Sequence, residues 1–189
     1  MNDSMPGPMP QRIPWWWYKT SNTSGTDLTS GDFSVASSGQ HWIRAIDVAA
    51  APDELFAWVT QLRRAPYSYD WIDNFGRHSP QTLDHTLVDV SVGDSVMSIF
   101  TVIEVVPGTS MTVAMKGGMP TLLFGPVTVH YRAEPRGAGS RLVVNLVVPR
   151  PPGPLATLRR YALAWGDLIM MRKQVIELKR LTELPTQAS

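Results

Sequence analysis

A chain of 189 residues is long enough for one domain with a sizeable core, and 43% hydrophobic content is enough to fill it. Seventeen basic against sixteen acidic residues leave a formal charge of +1, which argues against a dedicated nucleic-acid binder. The absence of cysteine excludes disulfides, a thiol nucleophile and a cysteine-held metal.

Residues 1–39 are rich in Pro, Gly, Ser, Thr and Asn and show no sustained periodicity. They read as an extended, partly disordered arm. The beginning, MNDSMPGPMPQRIP, lacks the basic start and apolar run of a secretory signal. No apolar run in the chain approaches the ~20 residues that a spanning helix needs, so a cytoplasmic protein without a membrane span is expected. The exception within the arm is IPWWWYKT, where Trp15, Trp16, Trp17 and Tyr18 are contiguous. A free tail rarely exposes that much aromatic surface. The rings are expected to pack on the body of their own chain. The sharper alternatives are a lid over a pocket, a homodimer contact or an interfacial anchor.

Residues 40–184 read as a single domain, with 185–189 a short tail. WIRAIDV is a strand candidate. APDELFAWVTQLRR follows as a helix: Pro52 suits its first turn, Asp53 and Glu54 suit its positive end, and Leu55, Phe56, Val59 and Leu62 recur at helical spacing. Pro66 breaks it, and YSYDWIDNFGRHSP (67–80) reads as a second short helix. Residues 82–150 then read as β. SVMSIFTVIEVV alternates, with Met97, Ile99, Thr101, Ile103 and Val105 expected on one face. MTVAMK places Met111, Val113 and Met115 together. VTVHYRAE sets Val127, Val129, Tyr131 and Ala133 against Thr128, His130, Arg132 and Glu134. KGGMP is a break, RGAGS a hairpin loop, and RLVVNLVV a returning strand. This spacing predicts an antiparallel meander.

After PRPPGP, the stretch from about Leu155 to Glu183 contains no proline. It predicts one helix about 43 Å long. Leu158, Ala162, Trp165, Ile169, Arg172 and Ile176 follow the spacing of one face. So long a helix needs a large apolar partner, and the meander is the available one.

The order of strand, two short helices, antiparallel meander and long terminal helix resembles the START-like (SRPBCC) superfamily. Three pieces carry the resemblance: IDVAAAPDELFAWV at the first strand–helix junction, VGDSVMSIFTVIEVVPGTSMTV as the central hairpin, and AWGDLIMMRKQVIELKRLTE as the terminal helix. Together they span about residues 40–184. The resemblance implies an α+β helix-grip fold, a curved antiparallel sheet wrapped around the long C-terminal helix. It also implies an apolar cavity between the two that binds a small lipophilic or aromatic molecule. It does not imply a reaction, because such folds serve as carriers, sensors, cyclases and hydrolytic enzymes.

The residues expected to line that cavity are Tyr67, Trp71, Met97, Ile99, Met111, Met115, Tyr131, Trp165, Ile169 and Arg172. Methionine and aromatic side chains suit irregular apolar shapes, in a core or around a ligand. Gly166, costly inside a helix, would suit a close approach by a strand or ligand. Arg172 falls on the apolar stripe of the long helix, so it needs a carboxylate or a ligand as partner. Asp70 and Asp73 are the candidate partners, with Asp167 on the same helix less well placed; a pair with Asp70 or Asp73 would make 67–80 a clamp between the short and long helices rather than a catalytic centre. For an enzyme of the cyclase or dehydratase kind, Tyr67, Tyr131, Asp70, Asn145 and Arg172 are the available acid, base or orienting groups. A third reading is an interaction module built on the Trp-rich arm and the basic helix end, Arg159 and Arg160. His41, His78, His85 and His130 are scattered and show no ligand spacing, so neither a metal nor a cofactor is expected. Whether any reaction is catalysed stays open.

Overall fold

The computed structural model describes residues 16–19, 40–68, 79–148 and 154–184. Its elements in chain order are β1 (Trp16–Lys19), β2 (Gln40–Val48), α1 (Pro52–Thr60), β3 (Ser95–Val96), β4 (Phe100–Val106), β5 (Ser110–Met115), α2 (Met119–Phe124), β6 (Thr128–Arg136), β7 (Gly139–Val148) and α3 (Pro154–Thr182). The strands form one sheet in the order β1-β2-β7-β6-β5-β4-β3. All neighbours are antiparallel except β1, which runs parallel to β2. The last strand, β7, returns beside β2 and pairs with all nine of its residues. The fold class is α+β, and the arrangement is the helix grip.

Local chemistry explains the elements. Pro52 opens α1, where a missing N–H costs nothing, and Asp53 and Glu54 occupy its first turn. Its inward residues Leu55, Phe56 and Val59 are buried, as is Leu62 in the 3-10 turn that follows. In β6, Val129, Tyr131 and Ala133 are buried and alternate with half-buried Thr128, His130, Arg132 and Glu134. Arg136 pairs with Gly139, so Gly137 and Ala138 make a two-residue hairpin turn, with Gly137 at φ +57°.

The main core lies between the concave face of the sheet and α1 and α3. Trp42, Ile46, Val102, Met111, Val113, Tyr131, Leu142 and Val144 supply its sheet side. Met171, Val175, Leu178 and Leu181 supply its α3 side. Ile43, Ala45 and Val143 form a second, small cluster on the opposite face.

Three expectations require correction. Met97 to Val105 is not one continuous alternating strand. Val96 pairs with Phe100 across a tight turn in which Met97 and Ser98 have φ of +46° and +62°, and a register shift follows between Val102 and Glu104. The turn and the shift change the parity. Phe100 and Val102 are buried, while Ile99 and Ile103 are exposed. The stripe of α3 is also rotated from the expected one. Among its described side chains the buried ones are Met171, Gln174, Val175, Leu178, Leu181 and Thr182, whereas Ile169 is 52% exposed and Arg172 is exposed. Apolar residues surround the helix before Met171, so the sequence allows more than one stripe. Finally, the chain after Gly117-Gly118 forms α2, where only a break was expected.

Of the predicted second short helix, residues 69–78 lie outside the described residues. Tyr67 itself is not helical: it has φ +52°, an uncommon conformation for a non-glycine residue. The backbone of Trp16–Lys19, expected as part of a separate arm, adds an edge strand to the sheet.

Candidate functional site

The concave face is apolar with a few buried polar groups. β6 presents Tyr131, fully buried, and its hydroxyl donates to Gln174 Oε1 at 3.1 Å. Gln174, 3% exposed on α3, donates in turn through Nε2 to the Pro66 carbonyl at 2.6 Å. The same nitrogen lies 3.6 Å from Met97 Sδ. Gln174 therefore joins the long helix, the centre of the sheet and the segment after α1. Met97 is fixed from its other side, because its N–H donates to the Leu62 carbonyl at 3.0 Å. Tyr67 is buried against Trp58, edge to face, with ring centroids 6.2 Å apart.

β2 contributes two residues that sequence reasoning passed over. Trp42 and Arg44 share the inward parity of Ile46 and Val48. Arg44 is fully buried, and its Nη1 donates to the Ile43 carbonyl at 3.0 Å. Trp42 is 2% exposed, and its indole N–H has no hydrogen-bond partner among the described residues. The signal was present in WIRAIDV, where period-2 counting puts Trp42, Arg44 and Ile46 on one face.

The predicted lining residues therefore divide. Tyr67, Met111 and Tyr131 are buried, and Met97 and Met115 are half-buried and packed against the core. Ile99, Ile169 and Arg172 are exposed. Trp71, Asp70 and Asp73 lie outside the described residues, and Trp165 is described only as a position on α3. The premise of a buried Arg172 does not hold. A described contact between the long helix and the segment just before residue 67 is Gln174 to the Pro66 carbonyl. Gly166 is exposed, and nothing lies within 4 Å of where its Cβ would be, so no close approach explains it.

Asn145 is on the outer face of the sheet, hydrogen-bonded to His41. Beside it runs a polar row. Thr112 Oγ1 donates to Glu104 Oε2 at 3.2 Å and lies 2.8 Å from His130 Nδ1. Burial, reinforced by nearby Arg132, holds the pKa of His130 below 6.5, and Glu104 opposes the shift. At the end of the sheet distant from α2, a cleft of about 300 Å³ is lined by Asp47, Ala49, Arg136, Ser140 and Lys179. Its charges are engaged: Arg141 Nε meets Asp47 Oδ1 at 2.7 Å, and Lys179 holds the Asp47 carbonyl at 2.8 Å and pairs with Glu183. Among the described residues no cluster of three His, Asp or Glu side chains is arranged to hold a metal, and no helix is long and apolar enough to cross a membrane.

No family model matches the sequence, and no curated protein does. Solved structures do resemble it. Protein CV1439 from Chromobacterium violaceum is 14% identical, with a TM-score of 0.49 over 77% of this chain and 98% of that one. DynU16, a protein of the dynemicin biosynthetic locus, is 18% identical, with a TM-score of 0.49 over 76% of this chain and 47% of that one. Ara h 8.0201 is 12% identical, with a TM-score of 0.45 over 75% of this chain and 96% of that one. The helix grip is read from this chain's own elements, one mainly antiparallel sheet with the long terminal helix packed against it.

Proposed function

We propose that this chain binds a small lipophilic or aromatic molecule between the concave face of its sheet and the C-terminal helix. The observation that carries this reading is the Trp42 indole N–H, a donor buried among apolar side chains without an acceptor among the described residues. Buried donors are almost always satisfied, and an orphan one is costly in a solid core. A bound molecule with a carbonyl, hydroxyl or carboxylate oxygen would satisfy it. Met111 belongs to the same core cluster, and Met97 and Met115 pack against it, adding adaptable thioether surface. Proteins of this fold bind hydrophobic ligands or act as polyketide cyclases, which fits the same location.

A cyclase- or dehydratase-type reaction on a polyketide-like molecule is the second reading. It draws on Tyr131, whose hydroxyl is oriented by Gln174 inside an apolar interior, as a proton-moving group needs to be.

Native mass spectrometry of the purified chain, with solvent extraction of the same sample, tests the first reading. The expected result is a stoichiometric lipophile, or saturable one-to-one binding of an added naphthol-type probe that Trp42→Phe weakens about tenfold by removing the donor alone. Absence of both a co-purifying molecule and saturable probe binding would refute it.

A further inference from the structure

α1 and α3 pack on the concave face of the sheet, and α2 leaves Met119 and Leu122 exposed. The opposite face is nevertheless closed to solvent. Ile43, Ala45, Val143, Asn145 and Thr112 share that outer side by strand parity, and each is at most 1% exposed. Beside them His130, Arg132 and Glu134 are half-buried. The described segment before β3 does not supply the cover. It is tied to the end of α1 on the helix side, where Gln61 bonds the backbone of Asp84 and Arg63 bonds the Leu87 and Asp89 carbonyls.

The direction of β1 points to what lies there. β1 runs parallel to β2, with Trp16 beside Ile43 and Lys19 beside Ile46. Parallel neighbours cannot be joined by a tight turn, so the connecting chain travels back along the strands over one face of the sheet. From Lys19 it returns to Gln40, about 20 Å back along β2. The concave side of β2 is taken by α3 and the main core. Residues 20–39 make the connection, and twenty residues can extend over about 66 Å. The surplus is ample for the roughly 10 Å from β2 across β7 to β6.

We propose that the outer face of the sheet is the docking surface for residues 20–39 of the same chain. The chemistry of the segment fits the face. Leu28, Phe33 and Val35 are apolar partners for Ile43, Ala45 and Val143. Phe33 and Val35 are two apart, so an extended chain presents both to one side. Ten of the twenty residues are Ser or Thr, whose hydroxyls both donate and accept, as the row of Thr112, His130 and Asn145 requires. The segment contains no proline. Residues 1–14 are the competing cover, but they contain four prolines, and no strand connection draws them across the sheet. The inference stands apart from the proposed ligand, which belongs to the other face.

The absence of cysteine makes single-site labelling direct. In the full chain, His130→Cys on the outer face and Lys173→Cys on exposed α3 would each carry a thiol-linked photo-cross-linker. After illumination and digestion, mass spectrometry would locate the captured peptides. Docking predicts that position 130 captures residues 20–39 and that position 173 does not. Capture of residues 1–14 or of a second copy at position 130, equal capture of 20–39 from both positions, or no capture at position 130 would each overturn the proposal. Thiol labelling gives a second reading. Leu28→Ser with Phe33→Ser and Val35→Ser should speed labelling of Val143→Cys about tenfold and leave Val102→Cys, buried on the concave face, as slow as before. An unchanged rate at position 143 would refute docking, and if both positions sped up through unfolding, the cross-linking result would decide.

Discussion

Gln174 is the residue on which the interior's polar contacts converge. It accepts from Tyr131 and donates to the Pro66 carbonyl, so one side chain satisfies two other buried groups. Replacing it with leucine preserves much of the volume and removes both partners. The expected cost is about 2–4 kcal/mol, since a hydroxyl and a carbonyl are left unpaired in an apolar setting. Tyr131→Phe, which removes only one bond, should cost about 1 kcal/mol. Urea titrations of the two variants would measure both, and equal costs would mean that the Pro66 contact contributes nothing. Little of this was legible beforehand. Gln174 occupies a helix among Lys173, Arg172 and Glu177, and sequence gives no sign that one polar residue in such a run turns inward. Trp42 and Arg44 were legible by parity alone. Arg172 was misplaced because an apolar stripe was fitted through a helix segment that is apolar on several sides.

At the scale of elements, turns decide where sequence pattern succeeds. The β6–β7 hairpin was readable because RGAGS supplies the residues a tight turn uses, and the strands on both sides alternate cleanly. β3 and β4 were not readable, because the turn at Met97 and Ser98 is built from residues that look like strand. Two glycines make the contrast measurable. A Cβ at Gly139 would lie 2.3 Å from the Val48 carbonyl oxygen, so β7 must begin with glycine to pass the end of β2. Gly139→Ala should therefore destabilise by about 1–3 kcal/mol. Gly166 has open space around its Cβ position and sits exposed within α3. Gly166→Ala should stabilise by about 0.5–1 kcal/mol through helix propensity alone. Thermal melts of the two variants should move in opposite directions, and a loss of stability in Gly166→Ala would point to a close contact at that turn.

For the whole molecule, pH is the natural perturbation, and His130 has a defined sign. Its pKa in the fold is below 6.5, so the unfolded chain binds more protons in the interval just under that value. Stability is full above pH 6.5 and falls as the pH drops through 6.5 toward the folded-state pKa. His130→Gln should flatten that segment of the curve. A second loss, below about 4.5, should persist in the variant, because the Arg180 hydrogen bond holds the Glu177 carboxyl under its ordinary value. Denaturation midpoints measured in half-unit pH steps would separate the two intervals. An unchanged slope in the variant would assign the upper interval to another group.

The edge strands of the sheet have a consequence of their own. A sheet of this kind ends in rows of unsatisfied backbone groups, which are templates for another chain. One edge is β3, two residues long, too short to template much. The other would be β2, nine residues long and rich in β-branched and aromatic side chains, had β1 not paired with its residues Ile43 to Ile46. Four residues of the Trp-rich stretch thus act as a guard rail. Their sequence, WWYK, closes on a lysine, the residue type that discourages further strand addition. At the backbone, that stretch takes up the middle of the β2 edge, from Ile43 to Ile46.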